Sequence, residues 1–330
     1  MSDRVVVLVA GEALANAKGS QIRDQRRNAH QLAEGLWPLL ATEAQVVVMH
    51  GNKPQVGYVL FRSELASHLL HPVPLDVCGA DTQGATGYML SQALQSAYAK
   101  RGLSRPVAAV VTQARVELSD LQETDARRPV GPYFDRERAE YYRQMRGWTI
   151  AEEPGRGYRR SVPVLPPREI LELETIRNLA ESGMVVIAGG GGGVPVTRSV
   201  TGELEGLEAV VETEQTAGLL ARELQAQVLV LIVERDDALV LSGLDPDAGQ
   251  CLPAEAVAAR LVQQSITLRS VAPYLRLAVD FLNSGGQQVM VTTLPKLAGA
   301  LGAQSGLRVG QPAPSLALFR VAGGTADGRA

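Results

Sequence analysis

The stretch VVIAGGGGGVPV, Val185 to Val196, runs from an apolar, β-branched segment into five consecutive glycines. Apolar residues without polar alternation are the pattern of a strand buried on both faces, as in a parallel sheet. Glycines at its end let the backbone take positive φ and approach a neighbour closely. Two other runs end in the same way: Val5 to Val9 leads into Ala10-Gly11, and AQVVVMHGN leads into Gly51-Asn52. Further strand-like runs lie in PVAAVVTQARVE, LEAVVE, AQVLVLIVE and QQVMVTT. Helical patterns separate them at 20–40, 82–102, 170–182, 216–224, 253–264 and 273–284. This alternation predicts an α/β protein with a predominantly parallel sheet covered on both faces.

One region breaks the rhythm. From Leu118 to Pro167 the sequence is charged and rich in Pro, Gly and Arg, and it reads as a protruding subdomain inserted in a sheet domain spanning 1–310. The tail, 311–330, ends in GGTADGRA and offers little to bury. A chain of 330 residues that is 45% apolar can bury a large core. A net charge of -3 implies no broad basic face and argues against nucleic acid as a partner. Two cysteines, Cys78 and Cys251, make no disulfide framework and suit a reducing cytoplasm. The apolar run Val5 to Ala10 is shorter than a signal segment and far from the roughly 20 residues of a membrane span, so a soluble cytoplasmic protein without a membrane partner is expected.

In open parallel sheets ligands sit beyond the carboxyl ends of the strands. Loops carrying Gly11, Gly51, Asn52, Gly191, Gly192 and Gly193 are therefore candidates to cradle phosphate or another small anion with backbone N–H groups. The five glycines are followed by Val194-Pro195, not by the lysine of a phosphate loop, and no Rossmann glycine pattern follows the first strand. The four histidines, His30, His50, His68 and His71, show no metal-ligand spacing, so no metal-ligating residue is assigned.

Several stretches taken together resemble the carbamate kinase family of the amino acid kinase superfamily. They are HGNKPQVG (His50–Gly57), TQGATGYMLSQAL (Thr82–Leu94), VVTQARVE (Val110–Glu117), RPVGPY (Arg128–Tyr133), PGRGYRRSVPVLPP (Pro154–Pro167), GGGGGVPV and GLEAVVE, in the family's order. The resemblance implies a three-layer αβα sandwich with a mainly parallel open sheet of about eight strands, a small protruding subdomain and a homodimer. It also implies phosphoryl transfer between ADP/ATP and carbamoyl phosphate/carbamate, with Mg2+.

Departures from the family pattern fall where the chemistry lies. The family lysine before the Pro-Ile-Gly-Pro of the protruding segment is Arg128 here. The lysine of its Asp-Lys-Asp triplet is Thr213, between Glu212 and Glu214, and the lysine closing Gly-Ser-Met-X-Pro-Lys is Tyr274, in Arg269 to Tyr274. Its nucleotide loop Thr-Gly-Val-Asp is replaced by Ile232-Val233-Glu234-Arg235. The first phosphate loop carries Glu12, and the second carries Lys53 where the family has glycine.

Phosphoryl transfer asks a protein chiefly for positioning and for positive charge around the moving group. Losing one well-placed donor costs about 10²–10³ in rate. A carboxylate about 4 Å from a phosphate charge opposes it by about 4 kcal/mol at an effective dielectric near 20. Lys53, Arg128 and Glu214 are accordingly expected to carry whatever catalysis persists, with Arg269 as a further replacement cation. Arg156, with Arg159 and Arg160, is expected to receive an anion such as phosphate or carboxylate. Glu12 is expected to fill the old phosphate nest and pair with Lys53. Kinase activity is predicted to be weak or lost. The alternative is an inactive paralogue that binds a metabolite or serves as a regulatory or structural partner.

Overall fold

Alternate residues of the first strand, Arg4–Val9, part to opposite sides of the central sheet. Val5, Val7 and Val9 join Leu32 of the helix Ile22–Gly35 and Leu90 and Leu94 of the helix Leu75–Ala99. Val6 and Leu8 join Ile176, Leu220 and Leu275, which belong to the helices Leu173–Glu181, Thr213–Glu223 and Ala272–Asn283. A strand with both faces buried must be apolar throughout, and this one is. The result is a three-layer αβα sandwich. These relations come from a computed structural model that describes residues 3–15, 21–244, 251–263, 267–268, 270–302 and 304–310. Arg269 and the tail 311–330 lie outside the described residues.

The central sheet has eight strands. Across it they run Cys251–Leu252, Leu307–Gly310, Gln288–Thr293, Val228–Val233, Arg4–Val9, Gln45–His50, Val185–Ile187 and Val107–Ala109. Every pairing is parallel except that of Gln288–Thr293 with Leu307–Gly310. The strands Cys251–Leu252, at the edge, and Leu307–Gly310, next to it, are absent from the sequence reading because they are short pieces of 2 and 4 residues. The run PVAAVVTQARVE divides. Val107–Ala109 stays in the central sheet, while Gln113–Arg115 pairs in parallel with Val194–Arg198 in a second, four-stranded sheet. LEAVVE leaves the central sheet too, and its Val210–Val211 pairs with Gly157–Leu165.

The irregular stretch of the sequence folds around antiparallel strands. Arg127–Phe134 and Ile150–Glu153 both pair with Gly157–Leu165. Between the first two lies the helix Arg136–Arg146, capped by the Asp135 carboxylate, which accepts from the Arg138 N–H, and stopped by Gly147 at φ 63°. Phe134, Ala139 and Tyr142 form a small separate core, with the Trp148 ring stacked 4.6 Å from that of Tyr142. The buried Glu64 carboxylate ties this unit to the helix Lys53–Leu65 by accepting from the Tyr142 hydroxyl at 2.7 Å and from Arg146 at 3.1 Å. No helix among the described residues is long and apolar enough to cross a membrane.

At the carboxyl ends of the first two strands the backbones of Gly11 and Gly51 touch. A Cβ on Gly51 would lie 2.6 Å from the Gly11 nitrogen, and one on Gly11 would lie 2.9 Å from the Gly51 carbonyl carbon. Gly51→Ala should therefore destabilise the protein by about 1–3 kcal/mol. Gly57→Ala, in a helix with nothing within 4 Å of the new methyl, should be neutral or stabilising. Urea midpoints of the two variants check this, and an unshifted midpoint for Gly51→Ala would contradict the crossing.

Candidate functional site

The glycine loops are held by side chains of the long helix Leu75–Ala99. Asn52 Nδ2 donates to the Thr82 hydroxyl at 2.8 Å, and that hydroxyl donates to the Gly79 carbonyl at 2.8 Å. Gln83 and Thr112 bond reciprocally: Gln83 Nε2 donates to the Thr112 carbonyl at 3.0 Å, and the Thr112 N–H donates to Gln83 Oε1 at 2.8 Å. The Thr112 hydroxyl then accepts from the Gly189 N–H at 2.8 Å. Gly191 has φ 66°, and a side chain there would fall 2.2 Å from Asn52 Oδ1, so only glycine fits. On the other side the Thr216 hydroxyl donates to the Gly192 carbonyl at 2.7 Å, which sets the start of the helix Thr213–Glu223 against the same loop.

Much of the backbone donor capacity of these loops is already used. The Gly51 N–H donates to the Val9 carbonyl, and those of Gly192 and Gly193 donate to Gly189 and Gly190. Of the five glycines, Gly191 lines the open cleft. Two chambers make up that cleft. One, of about 650 Å³, lies between the loops and the small antiparallel unit and includes Glu12, Asn52, Tyr58, Phe61, Tyr133 and Arg156 in its wall. The other, of about 560 Å³, lies against the helices Thr213–Glu223 and Ala272–Asn283. Lys53 and Arg128 line both, so they stand where the chambers meet.

Charges of both signs line the chambers: Lys53, Arg128, Arg156, Arg159, Arg222 and Arg276 stand with Glu12, Glu212, Glu214 and Asp280. Arg128 is ion-paired with Glu212. Lys53 is exposed and makes no ion pair with a described residue, so the Glu12–Lys53 pair expected from the sequence does not form. Glu12 lines the first chamber and Glu214 the second. Glu214 is 6% exposed, and its Oε2 has no hydrogen-bond partner. Thr213 is buried beside it. Burial, then the Glu214 and Glu12 carboxylates, push the Tyr274 hydroxyl well above its ordinary range. The retained arginine loop is divided: Arg156 pairs with Glu153 at 3.6 Å and stands 4.7 Å over the Tyr133 ring, beside Arg159. Arg160 turns away to Glu208 and the Trp148 ring.

The profile of the Amino acid kinase family matches residues 3–293. A carbamate kinase of Pyrococcus horikoshii is 35% identical over 318 residues, covering 94% of this chain and 99% of that protein. A carbamate kinase-like protein of Escherichia coli is 34% identical over 314 residues, with 94% and 99% covered. Among solved structures, the carbamate kinase of Giardia lamblia bound to AMP-PNP superimposes with a TM-score of 0.82 at 26% identity, covering 94% of this chain and 99% of that one. This chain belongs to the amino acid kinase family. Within it, the chain is a divergent relative of the carbamate kinases.

For this kinase relative, the structure brings Lys53, Arg128, Glu12, Glu212, Glu214, Asn52, Gly191 and Arg156 to one cleft. It places Gly11 and Gly51 behind the cleft, in contact with each other. Two features were missed in the sequence. Glu212 appeared there only as a flank of Thr213, and nothing local announces it as the partner of Arg128, 84 residues away. Thr82 and Gln83 belong to a recognisable motif, but their work of locking two loops needs the folded helix.

His50 closes the second strand inside this scaffold. It is fully buried, Nδ1 donates to the Gly51 carbonyl at 3.2 Å, and burial pushes the imidazole pKa down to about 4. In the unfolded chain an imidazole titrates near 6.5. Between those values only the unfolded state takes up the proton, so stability is complete above pH 6.5 and is lost as pH falls towards 4. The loss attributable to this residue is on the order of 3 kcal/mol. Denaturant unfolding at pH 7 and pH 5 should show the decline, and His50→Gln should flatten it.

Proposed function

We propose that this chain is a carbamate kinase-like protein that keeps the ligand cleft of its relatives, binds a small anion of the carbamoyl phosphate type, and transfers phosphoryl groups weakly or not at all. The observation that carries this is the charge at the junction of the two chambers. Of the two cations there, Arg128 is already held by Glu212, and Thr213 and Tyr274 stand where the family pattern has two further lysines. A phosphoryl group passing between chambers would meet Lys53 as the one cation at that junction without an ion pair among the described residues, less positive charge than its transfer requires.

Lys53 and Arg156 are the groups that would receive an anion's oxygens at the cleft mouth, and Arg128 would act there only by giving up Glu212. Nucleotide binding by this chain is weak in the same reading. The segment replacing the family's nucleotide loop carries Glu234 exposed and Arg235 tied to Asp237 at 3.1 Å, while Asp236 is tied to Lys296 at 2.9 Å. Among the described residues no group of three or more His, Cys, Asp or Glu is placed to hold a metal ion, so a magnesium ion here would depend on the phosphates of a nucleotide for its ligands. The proposal takes 1–310 as one kinase-type domain with 118–167 inserted, and carries a homodimer and a cytoplasmic setting from the likeness to carbamate kinases. A binding or regulatory role independent of catalysis follows from the same replacement of lysines by Thr213 and Tyr274.

The decisive assay supplies purified protein with magnesium, ADP and carbamoyl phosphate and follows ATP. Turnover should fall at least 10³-fold below the roughly 10 s⁻¹ typical of enzymes. The double variant Thr213→Lys/Tyr274→Lys should raise it by about 10² or more. Wild-type turnover within a hundredfold of the typical value would overturn the proposal.

A further inference from the structure

Glu214 is the least compensated group in the molecule's cleft. It sits in the first turn of the helix Thr213–Glu223, is 6% exposed, lines the second chamber, and leaves Oε2 without any hydrogen bond. No described cation lies within ion-pair distance of it: of the four that line the chamber, Arg128 is bound by Glu212 and Arg222 by Glu223, and neither Lys53 nor Arg276 pairs with it. A buried carboxylate without a counter-charge is costly to keep, and it is sustained where a partner arrives from outside. The Tyr274 hydroxyl stands beside the same carboxylate, and the Glu12 and Glu212 charges reach it as well. The rest of the chamber wall includes Pro273, Leu277 and Phe281, an apolar bed for a short alkyl chain, with Arg222, Arg276 and Asp280 also lining it.

We propose that this chamber binds a small organic cation with N–H donors, a primary ammonium or a guanidinium, whose charge is held by Glu214. Such a group satisfies an orphaned acceptor oxygen and its charge together, as charge-assisted N–H hydrogen bonds do. A hard metal ion would need several oxygen ligands around one point, and the described acidic groups do not converge in that way. The inference rests on reading the cleft as a binding site rather than a centre of phosphoryl transfer. It deepens that reading by assigning the inner chamber a cationic moiety, while the mouth near Lys53 and Arg156 remains suited to an anionic one.

The test uses the intact chain and thermal unfolding with butylammonium or methylguanidinium chloride at about 10 mM, against tetramethylammonium and potassium chloride at equal ionic strength. One or both N–H cations should raise the melting temperature by several degrees, and the controls should not. Glu214→Gln should fold, melt no lower than wild type without ligand, and lose the ligand shift. Tyr274→Lys, which brings an ammonium to Glu214 within the chain, should raise the unliganded melting temperature and also abolish the shift. Isothermal titration with butylammonium repeats the comparison without heating. Equal stabilisation by tetramethylammonium, a shift that survives Glu214→Gln, or no shift with either N–H cation overturns the cation site. Rapid ATP formation would instead defeat the proposed loss of phosphoryl transfer. No shift and no ATP formation would defeat the cation site alone.

Discussion

Between Gly11 and Gly51 there is room for two backbones and nothing more: a methyl on Gly51 would meet the Gly11 nitrogen at 2.6 Å. That contact brings the ends of the first two strands together and determines where every group of the cleft can stand. Asn52 follows directly, held by Thr82, and its side chain fills the space above Gly191 that any larger residue would claim. Gln83 and Thr112 then fix the start of the glycine loop, and Thr216 fixes its end. The cleft is therefore rigid for reasons of packing and hydrogen bonding that are independent of any ligand.

A scaffold held in this way tolerates changes of charge that a ligand-organised loop would not. The side chains that depart from the family pattern, Glu12, Lys53, Thr213 and Tyr274, are not the ones that lock the loops. Shape and charge are thus separable here. The shape is that of a phosphoryl-transfer cleft with two chambers meeting at Lys53 and Arg128. The charge there is of both signs, and one carboxylate, Glu214, is buried with an oxygen that has no hydrogen-bond partner. Arg128 keeps a cation at a family lysine position, yet its ion pair with Glu212 turns that cation inward. The likeness to carbamate kinases accordingly establishes descent and fold more firmly than it establishes catalysis.

Legibility in the sequence followed burial. The long apolar strands Arg4–Val9, Gln45–His50 and Val228–Val233 are unmistakable because both of their faces are covered. The strands Arg127–Phe134 and Gly157–Leu165 are not, since one side of each is half-open and their residues alternate with arginine, proline and glycine. LEAVVE reads like a central strand, yet Val210–Val211 is drawn to Gly157–Leu165 by a partner no local pattern reveals. The sequence pattern shows the helix Leu75–Ala99 only from Thr82, because its first turns carry Asp76, Gly79 and Asp81, which weaken the apolar signal without preventing the helix.

From the amino-acid order alone came the family, the parallel sheet, the glycine loops at strand ends and the replacement of two lysines by Thr213 and Tyr274. Each depends on residue type and on neighbours in the chain, which a sequence displays directly. Only the tertiary structure decided that Arg128 answers to Glu212, that Lys53 and Glu12 stay apart, that Arg160 leaves the arginine loop's common face, and that Glu214 is buried without a counter-charge. Those outcomes turn on a few ångströms between side chains far apart in the chain. Electrostatic energy falls off with that distance and rises with burial, and neither quantity exists until the chain has folded.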